Sequence, residues 1–263
     1  MKKTHLVLGG VLLLVVVVAV LFWRSKPASQ EEKASPEKKR IVQPVNIIPQ
    51  AERPYIAISP LADGRNITIT INALQKPATE VEYELEYQAG TLLQGAFGSL
   101  QLTALPAEEK ILLGSCSAGG ACTYHEDVRG GSLTTNFIGQ ESYGIKTEWK
   151  YLDNKAKETS FSSKDGKFQI NSKALAKVRY LIISQASGVP KGLEGTIASE
   201  PYSLELSSST TGEATISIRA TSEDALTIVG WDGSDWKSFP TTQEGKLATT
   251  TVPLLPLYVA ITQ

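Results

Sequence analysis

Glu80–Tyr87 reads EVEYELEY, and its strict alternation decides the class of fold. Val81, Tyr83, Leu85 and Tyr87 fall on one side of an extended chain and Glu80, Glu82, Glu84 and Glu86 on the other, because successive side chains of a strand point to opposite faces. A helix would spread the four carboxylates around its circumference. One face for a core and one for water is the mark of an antiparallel sheet with a solvated side. Carboxylates in a row are also what a hard cation takes, but a charged face that resists edge-to-edge aggregation accounts for them without one.

The same two-residue period recurs on both sides of this segment. Toward the amino terminus, Tyr55, Ala57 and Ser59 open a strand, an Asp63–Arg65 turn follows, and NITITIN places Ile67, Ile69 and Ile71 together. Toward the carboxyl terminus the inward sets are Leu100 and Leu102; Ile111 and Leu113; Leu133, Thr135 and Phe137; Tyr143, Ile145, Thr147, Trp149 and Tyr151; Phe168 and Ile170; then Val178, Tyr180 and Ile182. NSKALAK, Asn171–Lys177, interrupts them as a single helical turn with Asn171 or Ser172 as cap. The glycine and proline group SGVPKGLEG, Ser187–Gly195, reads as a domain boundary. Beyond it come Tyr202, Leu204 and Leu206; Ile216 and Ile218; Leu226 and Ile228; Leu247; and Leu257, Val259 and Ile261. No stretch sustains a 3.6-residue period. The expected class is therefore all-β, with two antiparallel β-sandwich domains at residues 55–187 and 188–263, the second of immunoglobulin or fibronectin type III size.

Ahead of the strands the chain changes character twice. Leu6–Trp23, LVLGGVLLLVVVVAVLFW, carries no charge, and its length at about 1.5 Å per residue suits a hydrocarbon layer about 30 Å thick. Lys2 and Lys3 precede it, Arg24 and Lys26 follow it, and Trp23 belongs in an interfacial belt. A cleaved signal peptide is the rival, yet no small-residue cleavage site follows Leu21, Phe22 and Trp23. The expected layout is a short cytoplasmic tail at residues 1–5, a transmembrane anchor at 6–23 and a disordered, charged, proline-containing stalk at 24–54. Basic residues just after the anchor oppose export of the remainder, but a folded domain of this length follows that bias weakly.

The 263 residues carry a net charge of −1, which argues against nucleic acid as a partner. The chain has two cysteines, in ILLGSCSAGGACTYHEDV. An apolar strand precedes Cys116, small residues turn the chain, and an alternating strand follows Cys122, so the pair is expected to form a disulfide near a hairpin end. Such a bond places the folded part in an oxidising, extracytoplasmic compartment. Cys116, Cys122, His125 and Glu126 also spell a zinc set, but with wider cysteine spacing than zinc sites use. A Cys–His nucleophile would need an electropositive setting, whereas Glu126 and Asp127 are acidic. No dinucleotide fingerprint, phosphate loop, HExxH or GxSxG element occurs, so neither cofactor nor metal is expected, and the chain reads as non-enzymatic.

One further constellation is WDGSDW, in which Trp231 and Trp236 flank a four-residue turn and meet across a hairpin. The pair serves either as the lid of a small core or as an aromatic platform for a sugar. Anchor, stalk and sandwiches together resemble, in layout alone, bacterial surface and envelope proteins built from immunoglobulin-like modules. The expected function is a membrane-anchored envelope protein whose domains bind a protein or glycan partner or act as spacers. The alternatives are a carbohydrate-binding module using Trp231 and Trp236 and, further off, an envelope hydrolase with paired carboxylates.

Overall fold

The computed structural model describes residues 44–263; the expected tail, anchor and first part of the stalk lie outside the described residues. No helix among the described residues is long and apolar enough to cross a membrane. They are all-β, with antiparallel sheets and two short 3-10 turns.

In chain order the strands begin with β1 (Tyr55–Pro60), β2 (Asn66–Ala73), β3 (Glu80–Ala89), β4 (Leu92–Gln101) and β5 (Ala107–Leu112). A small hairpin follows, β6 (Gly114–Cys116) and β7 (Cys122–Tyr124), then the long β8 (Val128–Ile138) and β9 (Tyr143–Asp153). Next come β10 (Ser160–Ser162), β11 (Phe168–Asn171), β12 (Tyr180–Gln185), β13 (Thr196–Ile197) and β14 (Tyr202–Leu206). The chain closes with β15 (Glu213–Arg219), β16 (Leu226–Trp231), β17 (Trp236–Phe239), β18 (Thr242–Glu244), β19 (Leu247–Pro253) and β20 (Leu257–Thr262).

One ten-stranded sheet organises the rest, in the order β17-β16-β20-β14-β12-β9-β8-β3-β4, with β13 added on β20. A three-stranded sheet, β1-β2-β5, and a five-stranded sheet, β10-β11-β15-β19-β18, complete the layers. The first core gathers Ile58, Ile67, Ile69 and Ile71 of the three-stranded sheet with Val81, Leu85, Tyr87, Phe137, Ile145 and Trp149 of the long one. The second gathers Phe168, Ile170, Ile216 and Ile218 of the five-stranded sheet with Tyr202, Leu204, Ile228 and Tyr258 of the long one. In β12 the side chains alternate between them, since Ile182 belongs to the first core and Leu181 and Ile183 to the second. The two smaller sheets therefore pack on opposite faces of the long one. A strand with a core on each face loses its polar side, and the run Leu181–Ile183 is the sequence trace of this.

Val81, Leu85 and Tyr87 are buried as the alternation predicts, and so are Ile67, Ile69, Ile71 and the inward set of β9. The expected helical turn is a 3-10 turn, Lys173–Lys177, with Ser172 as cap accepting from Ala174 N at 3.3 Å. Residues 44–54, read as the end of the stalk, lie instead against the folded unit. Val45 bridges to Gly144, Asn46 Nδ2 donates to Lys146 O at 2.8 Å, and Lys146 N donates back to Asn46 Oδ1 at 3.0 Å. Ile48 packs on the first core, which composition averaged over a charged segment does not show.

The expected boundary begins inside packed chain. Ser187 Oγ donates to Pro54 O at 2.6 Å, Gln75 Nε2 donates to Val189 O at 3.0 Å, and Ser187 and Val189 are buried. A Cβ on Gly188 would stand 2.2 Å from the Arg53 carbonyl oxygen, so only glycine fits there. Strands from either side of residue 187 pair directly, β12 with β14 and β11 with β15.

Candidate functional site

Cys116 and Cys122 are opposed in the β6–β7 hairpin and joined by a disulfide, with Cα atoms 4.0 Å apart. The turn between them is closed by Ser117 N donating to Ala121 O at 2.8 Å and Gly120 N donating to Ser117 O at 2.9 Å. Both sulfurs are committed, so neither is the thiolate that a zinc ion or a Cys–His nucleophile requires. Among the described residues no group of three or more histidine, cysteine, aspartate or glutamate side chains is placed to hold a metal ion. The hairpin is fixed at its base, where the Arg65 guanidinium lies 4.2 Å from the centre of the Tyr124 ring.

His125 follows the hairpin and turns its ring toward the first core, with Nδ1 2.9 Å from Tyr87 Oη. Burial pushes the Tyr87 phenol above its ordinary range, so it stays a neutral hydrogen-bonding partner of the imidazole near neutral pH. A cleft of about 520 Å³ opens beside them, lined by His125, Glu126, Asp127, Arg129, Asp153 and Lys155 among others. Its charges are mixed, and Asp153 is already engaged by Arg179 Nε at 2.6 Å and Lys155 Nζ at 3.1 Å.

Trp231 and Trp236 are register partners across β16 and β17, with ring centres 5.6 Å apart and planes inclined at 57°. Both are half-buried. They pack on a small apolar cluster of Tyr55, Ala186, Val189 and Leu257. The turn between them is an aspartate-capped loop in which Asp232 Oδ1 accepts from Asp235 N at 2.8 Å and from Ser234 N and Oγ at 2.9 Å each. Those donors hold the Asp232 carboxyl far below the usual carboxylate range. The tryptophans thus cover the end of a core, and a sugar platform would have to use whatever ring surface that packing leaves.

A different surface was missed in the sequence. The face of the long sheet turned away from the first core carries polar and charged side chains along β4, β3, β8 and β9, with Ser132 and Asn136 of β8 buried beneath them. Register places Leu93, Gln88, Gly130 and Lys150 in one row across these four strands. The next row holds Gly95, Glu86, Ser132 and Glu148, with Ser132 Oγ donating to Glu86 Oε2 at 3.4 Å. The carboxylate row of β3 is thus tied into the sheet face, and Asn136 Nδ2 likewise donates to Glu82 Oε2 at 3.0 Å.

Above the first row lies a cleft of about 400 Å³, lined by Gln88, Leu93, Arg129, Gly130, Gly131, Lys150 and Lys164. Lys164 comes from the β10–β11 turn and reaches over the sheet to Glu148 Oε1 at 2.9 Å and Gly131 O at 3.4 Å. The strand VRGGSLTTNF carried the one sequence signal for this place, a glycine pair inside an extended pattern, which marks a bulge or a close approach of another group. Compared with protein-family models, curated proteins and solved structures, the chain matches none.

Proposed function

We propose that the chain is a non-enzymatic, membrane-tethered protein whose folded part lies outside the cytoplasm and binds, or holds at a distance, another component of the cell surface. Its residues 55–263 are read as immunoglobulin-like sandwich layers, and Leu6–Trp23 as a single-pass anchor with a cytoplasmic amino terminus. The Cys116–Cys122 disulfide carries this reading, because a bond on an exposed hairpin persists only where thiols are not kept reduced. The half-buried state of Trp231 and Trp236 favours it over a carbohydrate-binding module built on those two rings.

The test is thiol labelling. Intact cells are treated with a reagent that does not cross membranes, and the protein is then denatured and labelled with and without prior reduction. Cys116 and Cys122 are expected to react only after reduction. If both react in the unreduced, denatured protein, the disulfide is absent in the cell and export loses its main support.

A further inference from the structure

The cleft over Gly130 is built around a β-bulge. Gln88 faces Gly130 and Ala89 faces Val128, so β8 carries one residue more than β3 at this point, and that residue is Arg129. Gly130 takes φ +92°, and a Cβ there would stand 2.4 Å from the Trp149 carbonyl oxygen, so the bulge depends on glycine. Bulges re-aim side chains and are frequent next to sites. Here the device sets an exposed guanidinium on the ridge that lines both clefts.

The two lysines are positioned from elsewhere. Lys150 Nζ donates to Ser162 O at 3.2 Å, which pins it under the β10–β11 hairpin. Lys164 sits in a turn fixed by its neighbour Asp165, whose carboxylate accepts from Ser163 Oγ, Lys167 N, Gln185 Nε2 and Tyr202 Oη. An ammonium has three donors, and Glu148 and the Gly131 carbonyl take two from Lys164. Arg129 brings five donors in a planar fork suited to a carboxylate or phosphate. Among the described residues no carboxylate lines the cleft itself, and Glu148 is the one that holds Lys164 from beside it. The backbone of Gly130 and Gly131 lines the cleft without side chains, Gln88 offers a neutral amide, and Leu93, 66% exposed, offers an apolar edge. The volume is that of a small-ligand site.

We propose that this cleft binds the oxyanion group of an anionic saccharide, with Arg129 and Lys164 holding the anion and the sugar ring lying over the glycine backbone against Leu93. The proposal rests on the reading of the chain as a surface-binding protein and names the ligand class for it.

The full chain, isotope-labelled and held in a detergent micelle, is titrated with glucuronate, glucose 1-phosphate and glucose while amide shifts are followed. Saturable shifts at Gly130 and Gly131 are expected with at least one anion and not with glucose. A response to glucuronate alone assigns a carboxylate ligand, and a response to the sugar phosphate alone assigns a phosphate. Arg129→Gln and Lys164→Gln are each expected to weaken binding about tenfold, and the exposed Lys191→Gln to leave it unchanged. Binding to the unsubstituted chain should also weaken as salt rises, a readout that needs no variant. No saturable shift with either anion, an equal shift with glucose, or parental affinity in Arg129→Gln overturns the proposal. The titration is made on purified protein, so its failure is separate from a failure of export, which the thiol labelling reads in cells.

Discussion

Asp165 accepts hydrogen bonds from Ser163, Lys167, Gln185 and Tyr202, and so joins the β10–β11 turn to β12 and β14. Burial by itself would raise its carboxyl, but the Ser163, Lys167, Tyr202 and Gln185 donors outweigh burial and hold it below the usual range. A depressed folded-state value means that the carboxylate adds stability above the unfolded aspartate range near pH 4 and loses that contribution as pH falls through the folded value. Asp165→Asn is therefore expected to cost about 1–2 kcal/mol at neutral pH, with the gap from the parent shrinking in acid. Thermal melts of both proteins from pH 7 to pH 3 check this, and a gap that stays constant over the range would deny the carboxylate its role. Glu205 shows the opposite setting. Burial pushes its carboxyl up, against the hydrogen bonds donated by the Ser59 and Ser203 hydroxyls.

At the scale of the element, alternation was legible where one face of a strand meets water. In β3 and β9 every inward residue was placed correctly, because one core and one solvated face leave a strict period of two. In β4 the sequence yielded only Leu100. Its preceding residues, Leu92–Ser99, put Leu93 and Phe97 on the face away from the core, which breaks the apolar-in, polar-out alternation, and glycines at 95 and 98 dilute the pattern. The cationic cleft was illegible for a different reason. Arg129, Lys150 and Lys164 lie far apart in the chain, and only the pairing of β3, β8 and β9 and the overhang of the β10–β11 turn bring them together. The disulfide was legible because both partners belong to one hairpin. Closing so short a loop stabilises by about 2 kcal/mol in the chain-entropy model. Replacing both Cys116 and Cys122 by serine is expected to lower the melting temperature by a few degrees and leave the sheets intact, since the hairpin is a separate two-stranded sheet. Circular dichroism melts of the double variant read both quantities, and loss of the folded strand signal at 25 °C would place the bond at the heart of the fold instead.

For the whole molecule the question is whether residues 188–263 stand alone. The second core takes Phe161, Phe168, Ile170, Leu175 and Ile183 from before residue 187. A fragment starting at Pro190 would lose these along with β10, β11 and β12, and would expose the edges of β14 and β15 that they cover. Such a fragment is expected to be unfolded by amide NMR, while residues 44–263 unfold in one cooperative transition. A well-dispersed spectrum from the fragment would restore the boundary at 187–188. Residues of the glycine and proline group also serve close packing. Gly188 is pressed against the Arg53 carbonyl, and Ser187 is bonded to Pro54.

The burial of the long sheet on opposite faces also decides where the sequence is free to drift. In β3 every second position lies on the face away from the core, where one polar side chain replaces another more readily than on the core side, although Glu82 and Glu86 are bonded to Asn136 and Ser132. In β12 neighbouring residues look into the first and second cores, and in β20 Tyr258 and Ala260 look into the second core while Leu257, Val259 and Ile261 enter two small apolar clusters, so from Leu181 to Ser184 and from Leu257 to Ile261 no position is indifferent to what replaces it. Divergence between descendants of this chain would then accumulate on β3, on β4 and around the cleft they border. The middle strands would change only by exchanging one apolar shape for another, and the binding surface could be rebuilt for a new ligand while the frame beneath it stayed fixed.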